Sequence, residues 1–164
     1  EGLVHQLWSD RQFCDSVVVC GHVHFDVHRA ILAAASPVFQ AMFDHDMQEG
    51  LQRKVEIKGH LASEVGAMLE YVYTGELQIG CDALAVLALA DLYELPKLAE
   101  DCSAVLLQSI TKDNALRIVH ALEKYKDRPQ VRPMWVGVRS IFRALLADDE
   151  LLDRFMSSFR HEGM

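Results

Sequence analysis

The sequence predicts an α+β fold: a small β-sheet flanked by a helical core, with more helices toward the C-terminal end. Three observations carry this. A run rich in β-branched residues, Phe13 to Cys20, meets the tight turn Gly21-His22 and an alternating run Val23 to Val27, which together read as a β-hairpin. Directly afterwards, His28 to Glu49 reads as a helix, a break, a second helix and an acidic loop. From Ser63 onward, apolar residues recur at helical spacing in one segment after another.

Each element has its own reason. Leu3-Val4-His5-Gln6-Leu7-Trp8 reads as a short amphipathic helix, with Leu3, Val4 and Leu7 on one face. A helix this short is marginal in water, so it must pack on its own domain or on a second copy. In the hairpin, alternation places Val23, Phe25 and Val27 in the core and His24 and Asp26 outside. Ala30, Ile31, Leu32 and three alanines make a helix narrow enough for other backbones to approach, so a central position is expected. Ser36 suits the N-cap of the next helix and Pro37 its first position, because proline has no N–H to lose there. Val38, Phe39, Met42 and Phe43 then give that helix an apolar face.

The loop after Phe43 ends Met47-Gln48-Glu49, a large apolar side chain two residues before an acid in an otherwise polar stretch. That pattern fits a solvated connector whose methionine folds back onto the core. It equally fits a hook facing a partner.

Arg53 to Lys58, with Val55 and Ile57 on one face, reads as a third strand. Ser63 caps a helix with the stripe Val65, Met68, Leu69, Val72 and Tyr73, which Thr74-Gly75 stops. Gly75 to Ile79 reads as a short extended piece. Asp82 caps a helix from Ala83 to Tyr93 that is apolar almost all round and so belongs in the interior. Pro96 opens another, with Leu98, Cys102, Val105 and Leu106 inward, and Thr111 caps a further one with Ala115, Ile118, Val119 and Leu122. Lys124 to Pro133, charged and twice interrupted by proline, reads as an exposed connector, with two helices beyond it at 135–146 and 150–159.

Composition narrows the function. The 164 residues carry a formal charge of −8, which argues against direct nucleic-acid binding, since phosphate attracts a basic patch. No stretch approaches the eighteen apolar residues of a membrane-spanning helix. The chain starts at Glu1 and has no signal-peptide pattern, so a piece of something longer is expected. Cys14, Cys20, Cys81 and Cys102 fit neither a zinc pattern nor a disulfide framework and read as free, mostly buried thiols in a reducing compartment. His22 and His24 share a side of an extended chain, but His28 lies beyond the strand and no fourth ligand is evident, so no metal site is expected. No G-x-S-x-G, H-E-x-x-H, P-loop or G-x-G-x-x-G occurs, so the chain is read as an interaction module and not an enzyme, with no cofactor.

The strings Phe13-Cys14-Asp15, GHVHFDVHRAILAAASPVFQAMF, VEI, YVYTGEL and ALADLYELPKLAEDC, in that order, resemble a BTB/POZ domain over about residues 3 to 110. The likeness is greatest to the MATH-BTB, speckle-type POZ proteins. Residues 111–164 resemble the helical 3-box or partial BACK extension that follows such domains in ubiquitin-ligase adaptors. The resemblance implies a BTB/POZ domain over 1–110 and the extension after it.

It also implies an intracellular homodimer, nuclear or cytoplasmic, whose interface uses Leu3, Val4, Leu7 and Ile31. Asp15 and Arg29 match a charged pair near the dimer groove. Met47 and Glu49 match an apolar–any–Glu motif that inserts into the cullin-3 N-terminal domain, with Phe43 and Tyr93 flanking it. The function implied is a cullin-3 substrate adaptor, its substrate protein recruited by a domain outside residues 1–164. The alternative is the dimerisation module of a transcriptional regulator that binds corepressor peptides in its dimer groove.

Overall fold

Strand β1 (Ser16–Cys20) and strand β2 (Val23–Val27) form the hairpin, and Gly21 makes its turn at φ +59°, where a side chain would be strained. The computed structural model describes residues 2–44, 53–111, 113–125, 127–129 and 137. Val18 lies opposite Phe25, and Val19 opposite His24. Strand β3 (Lys54–Glu56) joins the other side of β1 in parallel, giving the order β2-β1-β3. A parallel neighbour needs a crossover, which the chain between β2 and β3 supplies. Val17 donates its N–H to the Arg53 carbonyl and Val19 accepts from Ile57, so both turn their backbone toward β3. Val18, between them, therefore turns toward β2.

Two expectations about the hairpin need correction. The first strand begins at Ser16, not Phe13. Arg11 and Phe13 both have positive φ, so the chain is still turning there and leaves the Phe13 ring 86% exposed. Nor does β2 bury its whole apolar face: Val27 is fully buried, Phe25 half-buried and Val23 43% exposed. β2 is an edge strand, and helical cover reaches only part of it.

Among the described residues the helices are α1 (Leu3–Asp10), α2 (Arg29–Ala35), α3 (Pro37–Met42), α4 (Ala62–Thr74), α5 (Ala83–Leu92), α6 (Pro96–Gln108) and α7 (Ala115–Glu123). Ser36 caps α3 by accepting from the Phe39 N–H at 3.1 Å. Asp82 caps α5 by accepting from Leu84 and Ala85. Gly75 ends α4 at φ +72°. Helix α4 packs against α1, α2 and α5, and its stripe of Val65, Met68 and Leu69 is fully buried.

Other boundaries differ. α4 starts before Ser63, because Glu64 reaches back to the Leu61 N–H at 3.0 Å and closes the first turn from there. Asn114, not Thr111, precedes α7; its side-chain oxygen accepts from the Thr111 N–H at 2.7 Å. The short piece after Gly75 pairs with no strand among the described residues and enters a turn at Ile79, which is fully exposed. α2 is not central within one chain, since only Leu32 is buried and Ala34 and Ala35 face out. Leu92 of α5 and Val105 of α6 are exposed where burial was expected, whereas Tyr125, in the expected connector, is buried. The helices expected at 135–146 and 150–159 lie outside the described residues, apart from the helical Gly137.

The chain forms two units, Glu1–Cys102 and Ser103–Met164. In the second, Ala115, Ile118 and Leu122 bury one face of α7. Among the described residues no helix is long and apolar enough to cross a membrane.

Candidate partner-binding surfaces

Helix α1 has one committed face and one open face. On the committed side, Trp8 packs on Tyr73 of α4 with ring centroids 5.0 Å apart. Arg11, the left-handed C-cap, lays its guanidinium 3.4 Å from the Trp8 ring centroid and donates to the Asp26 carbonyl at 2.8 Å. A cation over an indole and a charge-assisted bond thus tie the helix end to β2. On the open side, Leu3 is 83% exposed, Val4 is exposed and Leu7 half-buried. Leu3, Leu7, Gln6, Asp10 and Gln12 line an open hollow of about 330 Å³. Ile31, on α2, is half-buried.

Beneath Trp8 lies a polar knot that periodicity did not reveal. The Tyr73 hydroxyl accepts the His28 backbone N–H at 2.8 Å and meets His28 Nδ1 at 3.0 Å, while His28 Nε2 meets the Gln12 carbonyl at 2.6 Å. The consistent assignment is Tyr73 donating to Nδ1 and Nε2–H donating to Gln12. His28 is buried and both ring nitrogens are engaged. Burial pushes the Tyr73 phenol up to about 12, against the opposing pull of the His28 bond. A signal did exist, because a tyrosine in a buried stripe must find a hydrogen-bond partner.

Asp15 and Arg29 do meet, but not as an ion pair. The Asp15 carboxylate accepts from the backbone N–H of Arg29 at 2.8 Å, at the start of α2, where a negative charge is favourable. The Arg29 guanidinium points elsewhere. It donates to the Phe43 carbonyl at 2.6 Å and sits 5.4 Å from the Phe43 ring centroid. Asp15, Arg29, Ala30, Ala33, Gln40, Phe43 and Asp44 line an open groove of about 520 Å³.

Phe43 and Tyr93 belong to the core. Phe39 is stacked on both, 4.4 Å from Tyr93 and 6.2 Å from Phe43 between centroids. They are 5% and 3% exposed, and Phe43 stands just before the acidic stretch that follows it in the sequence. Burial pushes the Tyr93 phenol up to about 12. Met47 and Glu49 lie outside the described residues.

All four cysteines are free thiols, with Cys20 and Cys102 buried. Cys14 lies 3.8 Å from His28 Nε2, yet burial raises its pKa, so the thiol stays protonated and poorly nucleophilic at neutral pH. His22 and His24 are exposed. Among the described residues no group of three or more His, Cys, Asp or Glu could hold a metal ion.

The BTB/POZ domain family matches residues 4–110. This chain belongs to that family. A BTB/POZ domain is a protein–protein interaction module, and the small sheet with its surrounding helices is this family's fold. Mouse TD and POZ domain-containing protein 4 is 40% identical over 122 residues, which cover 70% of this chain and 32% of that protein. Human Kelch-like protein 4 is 34% identical over 111 residues, covering 67% of this chain and 16% of its own length. Mouse Kelch-like protein 3 is 33% identical over 117 residues, 71% of this chain and 20% of that one. The BTB/POZ chain thus spans a third or less of these relatives. Among solved structures, the BTB domain of zebrafish PATZ1 superposes with a TM-score of 0.55 at 23% identity, over 65% of this chain and 90% of that one. That likeness speaks to the fold.

Proposed function

We propose that this BTB/POZ domain is the dimeric docking module of a cullin-3 substrate adaptor, of the speckle-type kind, with residues 111–164 as its helical 3-box or BACK-like extension. The observation that carries the reading is the anchoring of Phe43, four residues before Met47. Phe43 is held by the Phe39 stack from one side and by the Arg29 guanidinium from another. An anchored Phe43 so near Met47 and Glu49 in sequence lowers the ordering cost of a contact there, which favours affinity. Phe43 and Tyr93 then act as foundation for the contact. A flexible thioether fills an irregular apolar pocket well, and the Glu49 carboxylate supplies acceptors beside it.

The exposed Leu3 and Val4, with the half-buried Leu7 and with Ile31 of α2, support a homodimer; two cullin sites per dimer would raise avidity for a multivalent substrate. The Kelch-like relatives agree with an adaptor. An intracellular location follows from the same reading. The test is calorimetric titration with the cullin-3 N-terminal domain, using the unmodified chain, Met47→Asp and Glu49→Lys. Binding that either change abolishes, with the dimer intact by light scattering, is the expected result. No binding by the unmodified chain refutes it.

One observation favours a second reading. The open groove that Asp15 and Arg29 help to line has room for a peptide side chain, as a corepressor-binding transcriptional regulator would need. In that case corepressor peptides bind and Arg29→Ala weakens them, while cullin-3 does not bind.

A further inference from the structure

The edge of strand β2 is complementary to itself. Val18 turns its backbone to Phe25, so Val23, Phe25 and Val27 direct their amide groups inward to β1, while His24 and Asp26 direct theirs outward. The Arg11 bond to the Asp26 carbonyl confirms which way that group points. Among the described residues no strand pairs with this edge. Charged side chains on an edge strand ordinarily discourage a second strand. Here the spacing reverses that effect. If two copies of Val23–Val27 run antiparallel with Phe25 on the two-fold axis, His24 of each faces Asp26 of the other. The four outward amide groups then fall opposite one another as hydrogen-bonded pairs.

The apolar face fits the same register. Val23, exposed in the single chain, comes opposite Val27, and Phe25 opposite its counterpart. Beside them an open groove of about 390 Å³, lined by Trp8, Phe25, Gly66, Ala67 and Glu70 among others, leaves room along the edge. Arg11 holds one lone pair of the Asp26 carbonyl, and a carbonyl has two.

We infer that the β2 edge is a second self-association surface, on which a second copy of this chain pairs antiparallel through reciprocal His24–Asp26 contacts. It uses residues of β2 and not Leu3, Val4, Leu7 and Ile31. A subunit with two isologous faces links dimers into larger even-numbered assemblies. A soluble peptide added to the same edge is the competing occupant.

The test is light scattering over a concentration series for the whole chain and three variants: His24→Asp, Asp26→His and the double exchange. Both side chains are exposed, so the fold should survive, and circular dichroism melts check it. The unmodified chain should grow beyond its smallest oligomer as concentration rises. His24→Asp faces acid with acid and should weaken that growth about tenfold, while the double exchange should recover it to within about threefold. Growth indifferent to His24→Asp, no recovery in the double exchange, or no growth at all overturns the proposal. If the α1 surface fails instead, the chain starts as a monomer and β2 pairing reads as monomer to dimer, so the two failures are distinct.

Discussion

The Phe39 cluster and the Tyr73 cluster each gather three rings, but they hold the domain by different means. Phe39, Phe43 and Tyr93 stack in the interior and join α3 to the turn after α5. Trp8, Tyr73 and His28 sit nearer the surface, and two hydrogen bonds to a single hydroxyl organise them. Packing in the first is distributed over many weak contacts, so it degrades gradually until a ring is removed. In the second, one atom satisfies two buried groups, so a small chemical change leaves orphans. The first cluster anchors Phe43, just before the acidic stretch, and the second fastens α1. The two proposed partner surfaces therefore rest on supports that can be damaged separately.

Phe39→Ala should be the most damaging change, costing about 3 to 5 kcal/mol and leaving little folded protein, as denaturant unfolding would measure. Alkali attacks both clusters at once. The folded pKa of about 12 for Tyr73 and for Tyr93 lies above the ordinary value of about 10, so their contribution is complete below pH 10. It is lost as pH rises from 10 to 12, at up to about 1.4 kcal/mol per pH unit for each tyrosine. Tyrosinate absorbance should appear together with unfolding, and absorbance that rises near pH 10 in the folded chain would contradict the burial argument.

Tyr73→Phe separates the clusters. It should cost about 1 to 3 kcal/mol by stranding the His28 amide and Nδ1, and hydrogen exchange should accelerate in α1 before it does in α3. Arg29→Ala tests the other support and should cost about 1 kcal/mol, with cullin-3 binding reduced more than stability. Leu3→Asp should change single-chain stability by less than about 0.5 kcal/mol, because the side chain is already in water, yet should shift the light-scattering mass toward monomer.

Local features of the fold were legible in the sequence because their signals are short-range. Ser36-Pro37, Asp82 and Gly75 announce helix ends through their own backbone chemistry, and the structure uses each that way. The stripe of α4 was equally plain. Long-range pairings were not legible. His28 finds Tyr73 across 45 residues, and Arg29 finds the carbonyl of Phe43 instead of the Asp15 carboxylate, through no pattern that spacing records. Edge position also escaped. Alternation gave β2 an inner face but could not say that the helices would cover only part of it, and Val23 was misplaced for that reason.

The Ser36 hydroxyl sets a limit on what may replace it. It accepts the Phe39 N–H at 3.1 Å and donates to the Tyr93 carbonyl at 2.6 Å, while almost completely buried. As helix caps, aspartate and asparagine rank with serine. Neither substitutes here. An ionised aspartate has no proton for Tyr93, and asparagine must fit a larger amide into a buried position. Threonine keeps both bonds but must place a methyl group in the same closed space. A position that helix statistics would call permissive is, in this protein, nearly restricted to a single amino acid.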